Sequence, residues 1–287
     1  MVIVNLETIT KYNQQNNIMI VDNKQKQNIL FIGSCRIHAF LNYFLNDDFF
    51  GNNYNYLCVL VYIDNMTELS NTCIHNDQIK NLINNTTILV SEYLKNYKYF
   101  NSSIENEYNI FQLNSKFQHT IFLPNYCDPK IYVKDIIYHG DDKIKNDFKK
   151  YLNNEISFDD FVLNMKTISE SEINRYCEVI RKSFIPEFEI FIRENVYNKR
   201  ISNTIHHPTN ILSIEMYRFI MLKIFERNVP ENVIILNNQY EFLNSEGYKT
   251  KLTYYDKIGL NINIDEAIYN KEQSDKYLLS TELFYKE

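Results

Sequence analysis

Short, almost wholly apolar runs divide the first half of the chain at regular intervals. They are continuous and do not alternate with polar residues, which is typical of strands buried on both faces of a parallel sheet. About 25 to 30 residues separate successive runs, enough for the helical crossover of a βαβ unit. The pattern therefore predicts an α/β fold with a doubly wound, mostly parallel sheet. The runs are Asn28 to Ile32, Tyr56 to Ile63, Thr87 to Val90 and Thr120 to Leu123.

Helical spacing replaces this strand pattern from Asp142 onward. A Ser-Glu-Ser-Glu stretch beginning at Ser169 is typical of a helix start, and Pro186 predicts a break near Phe184. The predicted helical segments are Asp142 to Leu152, Ser157 to Met165, Ser169 to Tyr197 and Asn210 to Arg227.

The apolar run from Val233 to Leu236 predicts one last buried strand, followed by a polar, Tyr-rich tail. We therefore expect a sheet portion over residues 1–140 and a helical portion over residues 141–287. The C-terminal part of the helical portion should return to the sheet, so that the two portions pack as one unit.

Composition excludes several classes of function. The net charge of -6 over 287 residues, without a long basic run, disfavours a nucleic-acid binder. No apolar run approaches the roughly 20 residues that a membrane span needs, and the amino terminus lacks the pattern of a secretory signal. The five widely spaced cysteines form no C-x-x-C pair, which disfavours a disulfide framework or a zinc site and indicates reduced thiols in the cytoplasm.

The first candidate for chemistry is the turn Gly33-Ser34-Cys35-Arg36, between a predicted strand and a predicted helix. Gly33 allows a tight turn, and the helix N-terminus and Arg36 both favour the thiolate form of Cys35. Cysteine is also one of the most often buried residue types, so a packing role for Cys35 stays open.

The second candidate is His206-His207-Pro208, just before a predicted helix. Adjacent histidines point in different directions, and no acidic partner pattern accompanies them, so we expect no metal site here. His207 is either a general base or a residue that packs at a helix end.

These two motifs, in this order, resemble those of the WcbI-type polysaccharide-biosynthesis acetyltransferases, which carry Gly-Asn-Cys-Gln after the first core strand and a late Asn-His-Pro. Gly33, Cys35, His207 and Pro208 match, whereas Ser34, Arg36 and His206 depart from the family pattern. The resemblance extends from about residue 28 to residue 227. The family is itself distantly similar to the GDSL-type esterases. It implies binding of coenzyme A or acetyl-coenzyme A, no metal, and a sugar, nucleotide-sugar or glycan acceptor.

The resemblance suggests acyl transfer with His207 as general base and Cys35 as nucleophile or thioester neighbour. Candidate oxyanion donors are the backbone N–H groups of Cys35 and Arg36 and the side chains of Ser34 and Asn125. We also expect a group of residues to contact the coenzyme. Among them, Arg36, Lys199 and Arg200 are the candidate cations for its phosphates. The whole group is Gly33, Arg36, Lys199, Arg200 and His206.

Three alternatives remain at this point. An esterase or deacetylase of similar architecture would use water in place of the sugar. A non-catalytic module would bind coenzyme A without turnover. A nucleic-acid or protein-interaction domain that uses the many tyrosines, for example to stack bases, is the weakest alternative because the chain is acidic. Lys199 and Arg200 have a structural alternative as well, in which they stabilise the C-terminal end of a helix.

Overall fold

A five-stranded sheet forms the centre of the amino-terminal half in the computed structural model, which describes residues 18–34, 36–60, 77–92, 117–123, 132–139, 142–204, 207–239 and 250–280. The strand order is β1-β3-β2-β4-β5. β1 pairs antiparallel with β3, and the other neighbours are parallel, which confirms the predicted α/β fold with a mostly parallel sheet. The strands are β1 (Ile18–Val21), β2 (Gln27–Gly33), β3 (Tyr54–Leu60), β4 (Thr86–Glu92) and β5 (His119–Leu123).

The described helices alternate with these strands at first and then dominate the chain. The first three are α1 (Ile37–Asn46), α2 (Asp48–Asn53) and α3 (Asp77–Asn84). The next four are α4 (Val133–His139), α5 (Asp142–Leu152), α6 (Phe158–Arg181) and α7 (Phe188–Asn195). Two short strands, β6 (Ser202–Thr204) and β7 (His207–Pro208), precede α8 (Asn210–Phe225), α9 (Glu231–Gln239), α10 (Tyr254–Ile258) and α11 (Lys271–Ser280).

The chain divides into two compact units, which interleave along the sequence. Unit 1 comprises Met1–Asn125 and Ser213–Leu243, and unit 2 comprises Tyr126–Leu212 and Asn244–Glu287. The sheet therefore shares its unit with α9 and most of α8. This division differs from the predicted boundary at residue 140. No helix within the described ranges combines the length and apolar character needed to cross a bilayer.

Aromatic side chains fill the core of unit 1 between the sheet and its helices. Phe31 of β2 makes an edge contact with Phe44 of α1, with ring centroids 5.4 Å apart, and stacks on Tyr56 of β3. Phe44 also contacts the ring of Tyr217 in α8. These residues are fully buried, and large buried rings of this kind contribute strongly to core stability. The apolar runs that predict the strands thus supply the core directly.

The predicted strand from Val233 to Leu236 is wrong, because this segment lies in α9. Val233 and Leu236 are fully buried while Ile235 is 46% exposed, a three-residue spacing that fits one face of a helix. The N–H groups of Val233 and Ile234 bond to the carbonyl of Pro230 and begin the helix. A short apolar run does not by itself separate a buried helix from a buried strand.

Helix α6 joins two segments that the pattern separates. Its N-cap is Ser157, whose hydroxyl accepts from the N–H of Asp160, so the predicted helix start at Ser169 is wrong. Ser169 lies buried in the helix interior. The break predicted at Pro186 is confirmed, since α6 ends at Arg181 and α7 begins at Phe188.

Candidate functional site

The carboxyl ends of β2 and β4 lie side by side at the centre of the sheet. β3, the next strand along the chain after β2, pairs on one side of β2. β4, which follows β3 along the chain, pairs on the other side of β2. The crossovers thus diverge from β2, which defines a topological switch point between β2 and β4. Ligands of open α/β sheets bind in the crevice at such a point, beyond the carboxyl ends of the strands.

Gly33 ends β2 and leaves room for the side chain of Glu92, which ends β4. A Cβ atom on residue 33 would lie 3.0 Å from both Cγ and Cδ of Glu92. The close approach explains the glycine, since any larger residue would displace this carboxylate. Glu92 is only 3% exposed, so its charge needs partners.

Ser34 and Arg36 supply those partners. The Ser34 hydroxyl donates to the Glu92 carboxylate, at 3.1 Å from Oε1 and 3.0 Å from Oε2. Arg36 Nη2 lies 3.0 Å from Glu92 Oε2, and Arg36 Nε donates to Ser34 Oγ at 3.0 Å. The three side chains form a closed ring, with the Arg36 side chain 15% and that of Glu92 4% exposed. Charge-assisted bonds of this kind are among the stronger ones in proteins.

This ring defines what Ser34 contributes. A hydroxyl group has one proton to donate, and in this arrangement it is directed at Glu92, while Ser34 Oγ accepts from Arg36. The residues on either side of Cys35 are thereby both bonded to one buried carboxylate from another strand. Ser34 and Glu92 are 58 positions apart in the sequence. The ring therefore holds the turn against the sheet.

Helix α1 begins directly after the turn, with Arg36 as its N-cap. The Arg36 side chain makes no capping bond to this terminus, and the Ile37 N–H bonds to the Ser34 carbonyl at 3.1 Å. The first turn of a helix carries partial positive charge from its unpaired N–H groups. An anion at the switch point is therefore stabilised by the start of α1.

Several predicted site residues cannot be compared with the structure. Cys35, Asn125 and His206 lie outside the described residues. His207 is described in its backbone alone, in β7, where it pairs with Thr204 of β6. The structure brings Gly33, Ser34 and Arg36 together, and the pairing of Cys35 with His207 stays a prediction.

The two predicted cations of unit 2 differ in their surroundings. Lys199 is exposed, and its N–H bonds to the Asn195 carbonyl at the end of α7. Arg200 is 6% exposed and pairs with Glu266, with Nε 2.8 Å from Oε1. Its guanidinium also lies over the Tyr132 ring, 5.0 Å from the centroid. Contact of either residue with coenzyme A stays a prediction.

Sequence reasoning missed Glu92. The available signal was a charged residue at the end of the continuous apolar run Thr87 to Val90, one position beyond Ser91. Glutamate is almost never fully buried unless it is paired, so its place at the end of a central strand indicates a partner at that edge. The partner itself is not evident from the sequence, because Glu92 and Ser34 meet only through strand order.

The described cysteines are unlike a reactive thiol. Cys58 and Cys177 are free and buried. Burial raises the pKa of both thiols, and the Glu92 carboxylate adds to the increase at Cys58. Both are therefore protonated and inert near neutral pH. Among the described residues, no three His, Cys, Asp or Glu side chains are grouped so that they could hold a metal ion.

Comparisons with known proteins yield one structural likeness. No family model matches the chain, and no curated protein matches it. A solved structure of WcbI, described as a novel polysaccharide biosynthesis enzyme and as lacking a disulfide bond between coenzyme A and a cysteine, overlaps with a TM-score of 0.48. The identity is 12%, and the overlap covers 77% of this chain and 75% of that one.

Proposed function

We propose that the chain transfers an acyl group, acetyl in the simplest case, from a coenzyme A thioester to a hydroxyl or amino group of a sugar or glycan. Cys35 reacts with the acyl group and His207 serves as general base. The proposal rests on the residues that the two motifs share with the acetyltransferase family and on the chemistry of the turn that contains Cys35.

The observation that carries the proposal is the turn from Gly33 to Arg36 at the switch point, which bonds to Glu92 hold in place. Ser34 and Arg36, which flank Cys35, are both bonded to the buried carboxylate of Glu92. A cysteine in such a turn, directly before the N-terminus of a helix, is favoured as a thiolate by the partial charges of the helix. Glu92 balances the charge of Arg36. The main electrostatic stabilisation of the Cys35 thiolate therefore comes from the start of α1 and the backbone of the turn.

The proposed reaction has two steps. The Cys35 thiolate attacks the thioester carbonyl, the carbon–sulfur bond to coenzyme A breaks, and the coenzyme leaves as a thiolate that takes up a proton. The acceptor hydroxyl then attacks the acyl-cysteine carbonyl while His207 takes its proton, and the Cys35 thiolate is released. In both steps an oxyanion develops, for which backbone N–H groups of the turn are the proposed donors.

The described residues offer a limited set of groups for the phosphates of coenzyme A. Arg36 is partly exposed and keeps its charge close to the turn, although Glu92 occupies one side of its guanidinium. Lys199 is exposed, whereas Arg200 is buried against Glu266. We therefore propose Arg36 and Lys199 as the first cations to test for phosphate contact.

Intact-protein mass spectrometry after incubation with acetyl-coenzyme A tests the covalent route. We expect a single acetyl adduct on the wild-type protein and none on Cys35→Ala. Cys177→Ala is the matched control, because that thiol is buried and protonated, and it should keep the adduct. For His207→Asn we expect the adduct to persist when a sugar acceptor is added, since its removal needs the base.

Three results would count against the proposal. An undiminished adduct on Cys35→Ala would exclude Cys35 as the acyl carrier. Hydrolysis of a chromogenic acetyl ester without consumption of acetyl-coenzyme A would favour the esterase. Binding of coenzyme A with neither adduct nor transfer would favour the non-catalytic module.

A further inference from the structure

A cavity of about 570 Å³ lies in unit 2. Its wall comes from α6, from the stretch after α7, and from α10 with the loop that follows it. The volume falls within the range of small-molecule sites, which is roughly 300–1,000 Å³. Every residue that lines it belongs to unit 2.

The loop after α10 is a fixed part of this wall. The Leu260 N–H bonds to the Tyr255 carbonyl, and the Ile262 N–H bonds to the Asp256 carbonyl. The Asn263 N–H reaches the Tyr197 carbonyl at 2.8 Å and so joins two sides of the cavity. These bonds shape the cavity without a ligand, which lowers the entropy lost on binding.

Gly259 brings α10 close to α6. A Cβ atom on residue 259 would lie 3.0 Å from Cε of Met165 and 3.4 Å from Cγ2 of Val162. This close packing sets Lys257 of α10 on the same cavity as Lys166 of α6, which follows Met165. The two lysines therefore line one cavity from separate helices.

Three charged side chains line the cavity, those of Lys166, Glu170 and Lys257. Elsewhere on α6, Glu172 pairs with Arg175, and Glu178 pairs with Lys182. Within the part of the chain that the structure describes, Lys166, Lys257 and Glu170 take part in no ion pair.

Lys166 and Glu170 are four residues apart with the lysine first, which is the weaker order for a helical pair. Two lysines and one glutamate thus line the cavity, so one positive charge is left over.

The remaining wall suits a hydroxyl-rich ligand. Amide side chains at Asn198, Asn261 and Asn263 can each donate and accept, which is what sugar hydroxyls require. The half-buried ring of Tyr197 and the buried Leu260 supply apolar surface for the carbon face of a sugar ring. Burial raises the pKa of Tyr197, the Ser169 side chain opposes this increase and the charge of Glu170 adds to it, so the Tyr197 hydroxyl stays protonated near neutral pH.

We propose that this cavity binds a saccharide carrying one carboxylate, such as a hexuronic acid unit. The carboxylate lies between Lys166 and Lys257, and the hydroxyl groups bond to the asparagine amides and to Glu170. A single negative charge matches the one excess positive charge, whereas a phosphate dianion would meet repulsion from Glu170. The proposal does not depend on acyl transfer.

Calorimetric titration of the full-length chain with glucuronate, glucose, glucose 6-phosphate and acetate tests the proposal. We expect glucuronate to bind more tightly than each of the others, and its affinity to fall with added salt because both lysines are exposed. Lys166→Met combined with Lys257→Met should weaken glucuronate binding by about tenfold or more, since bonds to charged groups are lost.

The matched control is Lys182→Met combined with Lys276→Met. These lysines, one at the C-cap of α6 and one on α11, have side chains that are 76% exposed, and their loss changes the net charge by the same amount. The control should bind glucuronate as the wild type does. Glu170→Gln should strengthen binding of glucose 6-phosphate.

Equal affinity for glucose and glucuronate, tighter binding of glucose 6-phosphate by the wild type, or unchanged glucuronate binding after loss of Lys166 and Lys257 would each overturn the proposal. Absence of glucuronate binding at millimolar concentration would do the same. None of these results bears on the acetyl adduct at Cys35, so the two proposals fail separately.

Discussion

Each unit contains an arginine–glutamate pair in which one partner is nearly inaccessible, but the buried partner differs. In unit 1, the Glu92 side chain is 4% exposed and that of Arg36 is 15% exposed. In unit 2, the Arg200 side chain is 6% exposed and that of Glu266 is 28% exposed. The carboxylate is thus the buried charge at the end of the sheet, and the guanidinium is the buried charge beside β6.

The difference shows what each pair holds in place. Glu92 bonds to both Ser34 and Arg36, the residues that flank Cys35. Arg200 lies against the ring of Tyr132 and donates to the Ser202 carbonyl at 3.4 Å, so it supports β6. A buried charge that loses its partner is costly, whereas an exposed one is hydrated. The two pairs should therefore respond in opposite ways when the same type of residue is replaced.

The largest effect is expected from Arg36→Met, which leaves the buried Glu92 carboxylate without its cation. We expect the free energy of unfolding, measured by urea denaturation, to fall by about 3 kcal/mol. Glu92→Gln should cost less, because Arg36 reaches water more readily. Arg218→Met, which breaks an exposed pair with Glu215, is the control and should cost at most about 0.5 kcal/mol. A larger loss of unfolding free energy for Glu92→Gln than for Arg36→Met would contradict the expectation that the unpaired Glu92 carboxylate is the more costly of the two charges.

In unit 2, the glutamate variant should be the more harmful one. Glu266→Gln leaves Arg200 charged and buried, with the Tyr132 ring, the Ser202 carbonyl and the nearby Asp256 carboxyl group as remaining partners. We expect a loss of about 2 kcal/mol in the same measurement. Arg200→Met should cost less, since Glu266 can be hydrated and methionine replaces part of the packing. Equal losses of unfolding free energy for the two variants would show that burial of the remaining charge does not decide which variant is the less stable.

Asp256 extends the comparison to a buried carboxyl group held mainly by hydrogen bonds. Its oxygens accept from the Val133 N–H at 2.8 Å and from the Thr253 N–H and hydroxyl at 2.6 Å. Burial raises the pKa of Asp256 from 3.8 to about 6, and the bonds from Thr253 and Val133 and the charge of Arg200 offset only part of that increase.

The folded chain therefore holds this proton more tightly than the unfolded chain. The stabilisation from Asp256 is complete below pH 3.8 and is lost as the pH rises through about 6. Denaturation midpoints measured across this window should show that decline, and Asp256→Asn should remove its share of the slope. The same slope in wild type and variant would contradict the raised pKa.

The smallest effect is expected from Gly33→Ala. The added Cβ would press on Cγ and Cδ of Glu92 at 3.0 Å, so the side chain must shift by a few tenths of an ångström. We expect a loss of about 1 kcal/mol. Gly259→Ala, whose Cβ would lie 2.6 Å from the Tyr255 carbonyl oxygen, should cost more because backbone cannot yield as a side chain does. A larger loss at Gly33 would mean that Glu92 has no room to adjust.

Part of the fold and of the candidate site follows from local sequence patterns. The runs from Asn28 to Ile32 and from Thr87 to Val90 predict buried strands correctly, because continuous apolar stretches of that length suit a parallel sheet. Pro186 correctly predicts a helix break. The predicted site residues Gly33, Ser34 and Arg36 lie together, as expected for a turn of four residues.

Other features failed prediction for physical reasons. The segment from Val233 to Leu236 lies in a helix that is joined to α1 by a distant contact, in which the Tyr43 hydroxyl donates to Asn237 Oδ1 at 2.6 Å. Such packing partners are far away in the sequence, and four apolar residues fit either kind of element. Ser169 looks like a helix start, but the two helical patterns on either side of it join in α6.

The sequence by itself determined the strands β2 to β5, the helix break and the turn that contains Cys35, since these depend on residues within a few positions of one another. Tertiary structure alone decided that β4 lies beside β2, which brings Glu92 to Ser34 and Arg36. It also decided that Arg200 meets Glu266, 66 positions away, and that Lys166 and Lys257 face one cavity. Buried charges take partners wherever packing provides them, and local periodicity carries no record of that choice.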